Sequence, residues 1–364
     1  MNNREEYKDI VAFHPGYYIA EMIVDMGMTQ EEFAQRLGTT AKTISLLVNG
    51  KANLTKDIAK KLSTMLGTSS EIWLNLQSAY ERRVIEIEQL RDFDEQEVIA
   101  LMIDYSYFEK VCNLVATKNI KERIINLCKC LMIADLRILA QPDFLVNFRT
   151  GVSSIEMKNI VNAKAWIQIA MNCSKYMETA SFDAEKLKAF LPEIRSMTIQ
   201  APENFLPRLK DIFSQCGVAF VLLPHLKNSG VNGAVKWLSQ NQVVLAMNDR
   251  GLYADRFWFS LFHEIKHVLQ QKIKTTFVSC SETEMISMNS SLEKEADQFA
   301  ADYLIPKSAL RKWKPTRYTS DDEICAFAKS IGIHPGIVVG RLQHESIIPQ
   351  SRGSALKEKY HIVL

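Results

Sequence analysis

One run constrains this chain more than any other: Phe257-Trp258-Phe259-Ser260-Leu261-Phe262-His263-Glu264-Ile265-Lys266-His267-Val268-Leu269. It sets His-Glu-x-x-His inside an apolar stretch with neither Gly nor Pro, which predicts a buried helix. Four residues apart, His263 and His267 project from one face, where two imidazoles can hold one Zn²⁺. Glu264 then stands beside the metal as general base for water. The plainer reading is an accidental match on a core helix. Burying two His and a Glu among apolar flanks without a partner is costly, however, which weighs against it.

A third ligand is available downstream. Residues 292–306 carry an apolar stripe through Ala296, Phe299, Ala300, Tyr303 and Leu304. Glu293 lies on that inward face and Glu295 toward its border, so Glu293 is the expected ligand. The ordinary alternative for Glu293 is a solvated charge on a first turn. A His₂Glu set leaves the fourth position to water, and it accepts divalent ions other than zinc. Tyr303, His334 and His344 are weaker candidates for a proton donor or oxyanion contact. Asp297 is a candidate to orient a ligand imidazole.

Just before this helix, residues 217–224, 231–238 and 242–247 read as three short strands. An extended peptide adds readily to an exposed sheet edge, and Gly233–Leu238 is the expected edge, the alternative being that all three strands are covered. Together these segments predict a small α+β part in a mainly α chain.

Residues 14–80 read as a compact helical unit. His14-Pro15-Gly16 opens a helix with Ile19, Met22, Ile23 and Met26 on one face. Thr29 caps the next, with Glu32 placed for a capping box, and Gly38 ends it. Thr40 caps a third, which Asn49-Gly50 stops. Two short helices joined by a Gly-containing turn have the form of a helix-turn-helix, although a small protein-binding bundle shares that periodicity. In the DNA-reading geometry the second helix presents Ala41, Lys42 and Thr43 to the bases, with Ser45 or Leu46 one turn on and the capping Thr40 among the DNA-binding residues. Gln30 reaches a phosphate or base edge, and Lys51 and Lys56 reach phosphates. Ala41 and Leu46 are apolar, which shifts readout toward Lys42, Thr43 and methyl contacts.

Between these regions the chain is patterned for helices over 95–115, 118–141 and 153–179, with Glu81–Asp92 a charged linker or helix face. Trp166, Met171 and Met177 read as core. The expected domains are 1–81, 82–200 and 201–364.

Net charge is +2, so any DNA contact must come from a local patch. Seven Cys, at 112, 128, 130, 173, 216, 280 and 325, include no C-x-x-C pair, and this fits reduced thiols. Cys128-Lys129-Cys130 is either a soft-metal pair or two structural thiols. No apolar run reaches the roughly 18 residues of a membrane helix. The N-terminus also lacks a signal peptide's apolar core, so the expected location is the cytoplasm, with no membrane partner.

The run from Gly27 to Glu81, "GMTQEEFAQRLGTTAKTISLLVNGKANLTKDIAKKLSTMLGTSSEIWLNLQSAYE", resembles the HigA-type antitoxins, a branch of the lambda-repressor-like helix-turn-helix proteins. Its end, "LGTSSEIWLNLQSAYE", is the more specific part. "DRFWFSLFHEIKHVL" and "EKEADQFAADYLIP" are similar to the two core motifs of the ImmA/IrrE zinc metallopeptidases, with Ile265-Lys266 where Leu-Gly is usual. A Lys there could crowd the cleft. These resemblances imply a lambda-repressor-like head, a helical middle and a zincin-like domain. They also imply a homodimer on operator DNA, a cognate toxin or protein substrate, and Zn²⁺ at the His₂Glu set. The alternative they leave open is a non-catalytic antitoxin.

Overall fold

The structure is a computed structural model that describes residues 3–141, 156–248, 253–271, 276–280 and 290–360. It divides into two compact units, Met1–Glu97 and Val98–Leu364.

The first unit opens with a hairpin, β1 (Arg4–Tyr7) and β2 (Ile10–Phe13), followed by α1 (Pro15–Asp25), α2 (Gln30–Leu37), α3 (Ala41–Val48) and α4 (Lys56–Leu66). The long helix α5 (Ser70–Met102) leads out of it. Local chemistry sets these boundaries. The Oγ1 atoms of Thr29 and Thr40 accept from the N–H groups of Glu32 and Thr43, and Gly38 ends α2 in the left-handed region at φ 63°. Only half of the expected capping box forms at α2, because the Glu32 carboxylate pairs with Arg36 at 2.7 Å. Ile19, Ile23, Phe33, Ile44, Leu47 and Leu62 make the core, closed by Trp73. Met26 departs from the expected face: it follows the last turn of α1 and is exposed. Glu81–Asp92 is a stretch of α5 and not a linker.

His14 is the N-cap of α1, its Nδ1 accepting from the Gly16 N–H at 3.0 Å. His334 caps a later helix in the same way, accepting from Gly336 N–H at 3.1 Å. Burial lowers both imidazoles below the ordinary 6.5. Protonation would convert the accepting nitrogen into a donor and break the cap. The folded value is depressed, so the stabilisation is complete above pH 6.5 and is lost as pH falls through the folded value. In the first unit, where His14 sits, urea unfolding should therefore show a lower midpoint at pH 5 than at pH 7.5. His14→Asn, which keeps a capping acceptor that does not titrate, should reduce that difference.

The second unit begins with α6 (Tyr105–Val111), α7 (Ile120–Leu131), α8 (Met157–Ser174), α9 (Ala184–Ser196) and α10 (Pro202–Gln215). Then come β3 (Val218–Leu223), β4 (Val231–Ser239), β5 (Gln242–Asn248), α11 (Ala254–Gln270) and β6 (Thr276–Cys280). The chain ends with α12 (Ser290–Leu304), α13 (Lys307–Trp313), α14 (Asp321–Ile331) and α15 (Pro335–His344). Trp166 and Met171 are buried as expected. Tyr107 Oη and Trp166 Nε1 both donate to the Pro224 carbonyl, at 2.9 and 3.0 Å, so the middle helices back directly onto the sheet.

The three expected strands are present, but among the described residues the sheet has four, in the order β3-β5-β4-β6. β3 runs parallel to β5, while β4 is antiparallel to both β5 and β6. Every residue of β3 is buried, in keeping with its unbroken apolar run. The expected free edge at Gly233–Leu238 is corrected here. Val231–Lys236 pairs with β6, so the outer edge of β4 is already filled by the chain's own backbone.

α11 packs between this sheet, α12 and α15. Arg195 of α9 ties the ends of two helices together, donating to the carbonyls of Leu304 and Ile331 at 2.9 and 2.8 Å. No helix among the described residues is long and apolar enough to cross a membrane.

Candidate metal centre and DNA-reading helix

α11 buries eleven of its residues, including His263, Glu264 and His267. The i, i+4 spacing places the two imidazoles on one face, with their Nε2 atoms 2.9 Å apart. Glu293 enters from the first turn of α12. Its Oε2 lies 3.2 Å from His263 Nε2 and its Oε1 3.3 Å from His267 Nε2.

The outer nitrogens settle the tautomers. His263 Nδ1 is 2.8 Å from Asp297 Oδ1, an atom that only accepts, so Nδ1 carries the proton. His267 Nδ1 is 2.9 Å from Gln270 Oε1. The Gln270 amide is oriented because its Nε2 donates to the Leu292 carbonyl at 3.1 Å and to Glu295 Oε2 at 2.9 Å. Both imidazoles therefore turn their Nε2 atoms toward Glu293, where a cation, proton or metal, would sit on the Nε2 lone pairs.

Burial alone would lower His263, but the carboxylates of Asp297 and Glu293 overcome it and raise the imidazole to about 10. Burial would raise Glu293, and the two imidazoles bring it down to about 2. The pocket favours a positive charge between these groups. Its donor set also fits a metal: the three ligand atoms lie within 4.8 Å of one another. Tetrahedral zinc with bonds of about 2.1 Å spaces its ligand atoms by about 3.4 Å, a few tenths wider than seen here.

Glu295 faces away from the imidazoles, toward Lys266 Nζ at 2.8 Å and Gln270. Lys266 is thereby held over the Phe299 ring and does not crowd the imidazoles. Tyr303 stacks on Phe262 and lines a shallow groove of about 400 Å³ with Lys266 and Phe299, away from the His pair. His334 is committed to its cap, and His344 is the last residue of α15.

Two residues bearing on the site were missed from the sequence. Gln270 stands three places after His267, a spacing that could have marked it. Gly233 sits mid-strand in β4, where a Cβ would fall 2.7 Å from Glu264 Oε1. A lone Gly within a strand signals such a close approach.

In the first unit Gln30, Thr40, Ala41, Lys42 and Lys51 are exposed, and Thr43 and Ser45 are half-buried. Thr40 is partly committed, since its hydroxyl both caps α3 and lies 2.8 Å from that of Thr43. Lys56 and Lys60 add exposed positive charge on α4.

Comparison with known proteins agrees with both halves. The helix-turn-helix family profile matches residues 19–73, and that of the IrrE N-terminal-like domain of the M78 peptidases matches residues 226–343. The uncharacterized HTH-type transcriptional regulator YddM of Escherichia coli is 36% identical over 81 residues, which are 21% of this chain and 86% of that protein. The chain belongs to the helix-turn-helix regulators and carries an IrrE-like domain. Antitoxin HigA-1 of Vibrio cholerae is 39% identical over 61 residues, covering 17% of this chain and 57% of the relative. The solved structure of an addiction module antidote protein of the HigA family from Coxiella burnetii is 28% identical, over 23% of this chain and 92% of that one, with a TM-score of 0.22. The chain thus joins a helix-turn-helix regulator domain to an M78 peptidase-like domain.

Proposed function

We propose that this protein is an operator-binding regulator whose second unit is a zinc-dependent endopeptidase acting on a regulatory protein partner or on the chain itself. The observation that carries the reading is the convergence of His263, His267 and Glu293 beside a fully buried Glu264. Zinc, when bound by these three residues, supplies Lewis-acid chemistry, polarising a scissile carbonyl and acidifying water. Glu264 accepts the proton from water and delivers it to the leaving amine. Asp297 and Gln270 hold the imidazoles in the metal-binding tautomer. Lys42, Thr43 and Ser45 read base edges from α3, with Gln30, Thr40, Ala41 and Lys51 around them, in a homodimer on a palindromic site.

One observation favours a second reading, a non-catalytic antitoxin that represses its operon and neutralises a toxin by binding. β6 fills the β4 edge that an extended peptide would use. A peptide library incubated with the zinc-loaded protein and read by mass spectrometry separates the two. Chelator-sensitive cleavage supports the peptidase. Toxin and operator binding with no cleavage supports the antitoxin.

The metal itself is tested separately. Purified protein should hold about one zinc per chain, and His263→Ala should lose it. Asp297→Ala should keep the fold and weaken zinc affinity by about 10- to 100-fold, as measured by competition with a chromogenic chelator. Unchanged affinity would mean that Asp297 does not orient His263.

A further inference from the structure

β4 passes α11 beside the proposed base, so close that a Cβ on Gly233 would lie 2.7 Å from Glu264 Oε1. Gly233 pairs with Met247 of β5 on one side and with Ser279 of β6 on the other. The main chain at Ser279 therefore lies one strand spacing, about 4.8 Å, from the residue that touches the base. β6 runs antiparallel to β4, from Thr276 opposite Lys236 to Cys280 opposite Val231. Its placement is that of a peptide added to a sheet edge. Among the described residues β6 is also the outermost strand, and it is only five residues long. Its ladder with β4 is interrupted next to the base, where Asn232 is an extra residue between the pairs Val231–Cys280 and Gly233–Ser279. A short outer strand with a broken ladder is a part of a sheet that opens at low cost.

The groups beside this edge are shut away. Glu264 and His267 are fully buried, and His263 is 5% exposed. Hydrolysis brings water and a peptide to these side chains, and in this arrangement bulk water does not reach Glu264. We propose that β6 occupies in cis the edge at which the substrate docks, so that the peptidase is latent until an extended segment of a substrate protein displaces it. This rests on the second unit being a peptidase.

The class of substrate follows from the register. The incoming segment takes a strand conformation, runs antiparallel to β4 and lays its backbone opposite Gly233; a helical segment does not compete. The exchange is close to balanced in backbone hydrogen bonds, since the incoming strand remakes those that β6 gives up. Concentration decides the outcome. Being part of the same chain, β6 competes at an effective concentration on the order of millimolar, so short free peptides at micromolar concentration displace it poorly. A protein substrate held by a second contact gains the same advantage, which restricts cleavage to partners that bind the regulator.

The test releases β6 in one variant and locks it in another, both in the zinc-loaded full chain. Phe277→Pro combined with Val278→Pro is the release. Successive N–H groups of a strand point to opposite edges, so one of the two prolines removes a donor that faces β4. The probe is a fluorescent peptide copying residues 274–282, with Ser in place of Cys280. Its binding is read by anisotropy in a Glu264→Gln background, which keeps the peptide intact, and its cleavage is read with Glu264 present. Release should tighten binding by about tenfold or more and raise cleavage by a similar factor at equal zinc content. Val231→Cys is the lock, because it sets a thiol opposite Cys280, and antiparallel partners about 4.5–5.5 Å apart at Cα lie within disulfide range. Oxidation to that link, confirmed by mass spectrometry, should weaken peptide binding about tenfold, and dithiothreitol should restore it. If the double variant does not fold, the lock decides alone. Equal affinity in wild type and a folded double variant, or in the locked and reduced forms of Val231→Cys, overturns the proposal. Tighter binding after release with no cleavage would sink the peptidase reading, and latency with it, while a strand-binding edge remained.

Discussion

Alanine at position 16 should strongly destabilise the first unit. A Cβ on Gly16 would lie 1.8 Å from the Leu47 carbonyl oxygen and 2.6 Å from its carbon, which are backbone atoms of α3 that cannot swing aside. Restoring contact distance requires α1 to retreat from α3 by more than 1 Å, and this opens the core where Ile19 and Leu47 are buried. The same movement disturbs the His14 cap, whose Nδ1 lies 3.0 Å from that Cβ. Overpacking of this severity costs about 3 kcal/mol or more, against a total of roughly 5–10 kcal/mol for a unit of this size. Gly27→Ala is the internal control, because Gly27 sits at φ 62° with nothing within 4 Å of an added Cβ. It should cost only the backbone penalty of about 1 kcal/mol. Amide exchange over α1 and α3 should accelerate roughly 150-fold in Gly16→Ala and about fivefold in Gly27→Ala. Operator binding should fall with the folded fraction in the first variant only. Equal exchange rates in the two variants would show that the α1–α3 approach is looser than described.

Glu264→Gln should reduce peptide cleavage by about 10²- to 10⁴-fold while leaving zinc content and the melting temperature nearly unchanged. Gln has almost the shape of Glu, and it cannot take the proton from water. Gly233→Ala should reach a comparable loss by a different route. The new Cβ would meet Glu264 Oε1, Cγ and Cδ at 2.7, 2.8 and 2.9 Å, so either β4 or the carboxylate must move. His263, His267 and Glu293 lie outside that contact, and zinc affinity should change by no more than a few-fold. The two variants therefore test the base and its seating separately. Full cleavage by Glu264→Gln would place the base elsewhere. Full cleavage by Gly233→Ala would mean that β4 yields without consequence for Glu264.

Much of the fold is legible along the chain because its signals are short-range. Thr29, Thr40 and Gly38 bound α2 and α3 through contacts within three or four residues. The His263–His267 spacing puts two imidazoles on one face whatever surrounds the helix. The apolar run of β3 declares a strand buried on both sides. The helix-turn-helix and the IrrE-like domain both follow from such local patterns.

Other features are set only when distant segments pack. The pairing of β6 with β4 closes an edge that the sequence of β4 alone leaves open, because a strand's edge carries backbone groups common to every sequence. Glu293 and Glu295 differ by two positions on one helix. It is the docking of α12 on α11 that turns one toward the imidazoles and the other toward Lys266. The close approaches of Gly16 to Leu47 and of Gly233 to Glu264 likewise join residues separated by tens of positions. By itself the sequence determined the elements, their caps and the residue types able to carry chemistry, since these rest on neighbouring torsions and periodicity. Which side chains face one another was decided only by the tertiary structure, because that depends on how whole surfaces fit together.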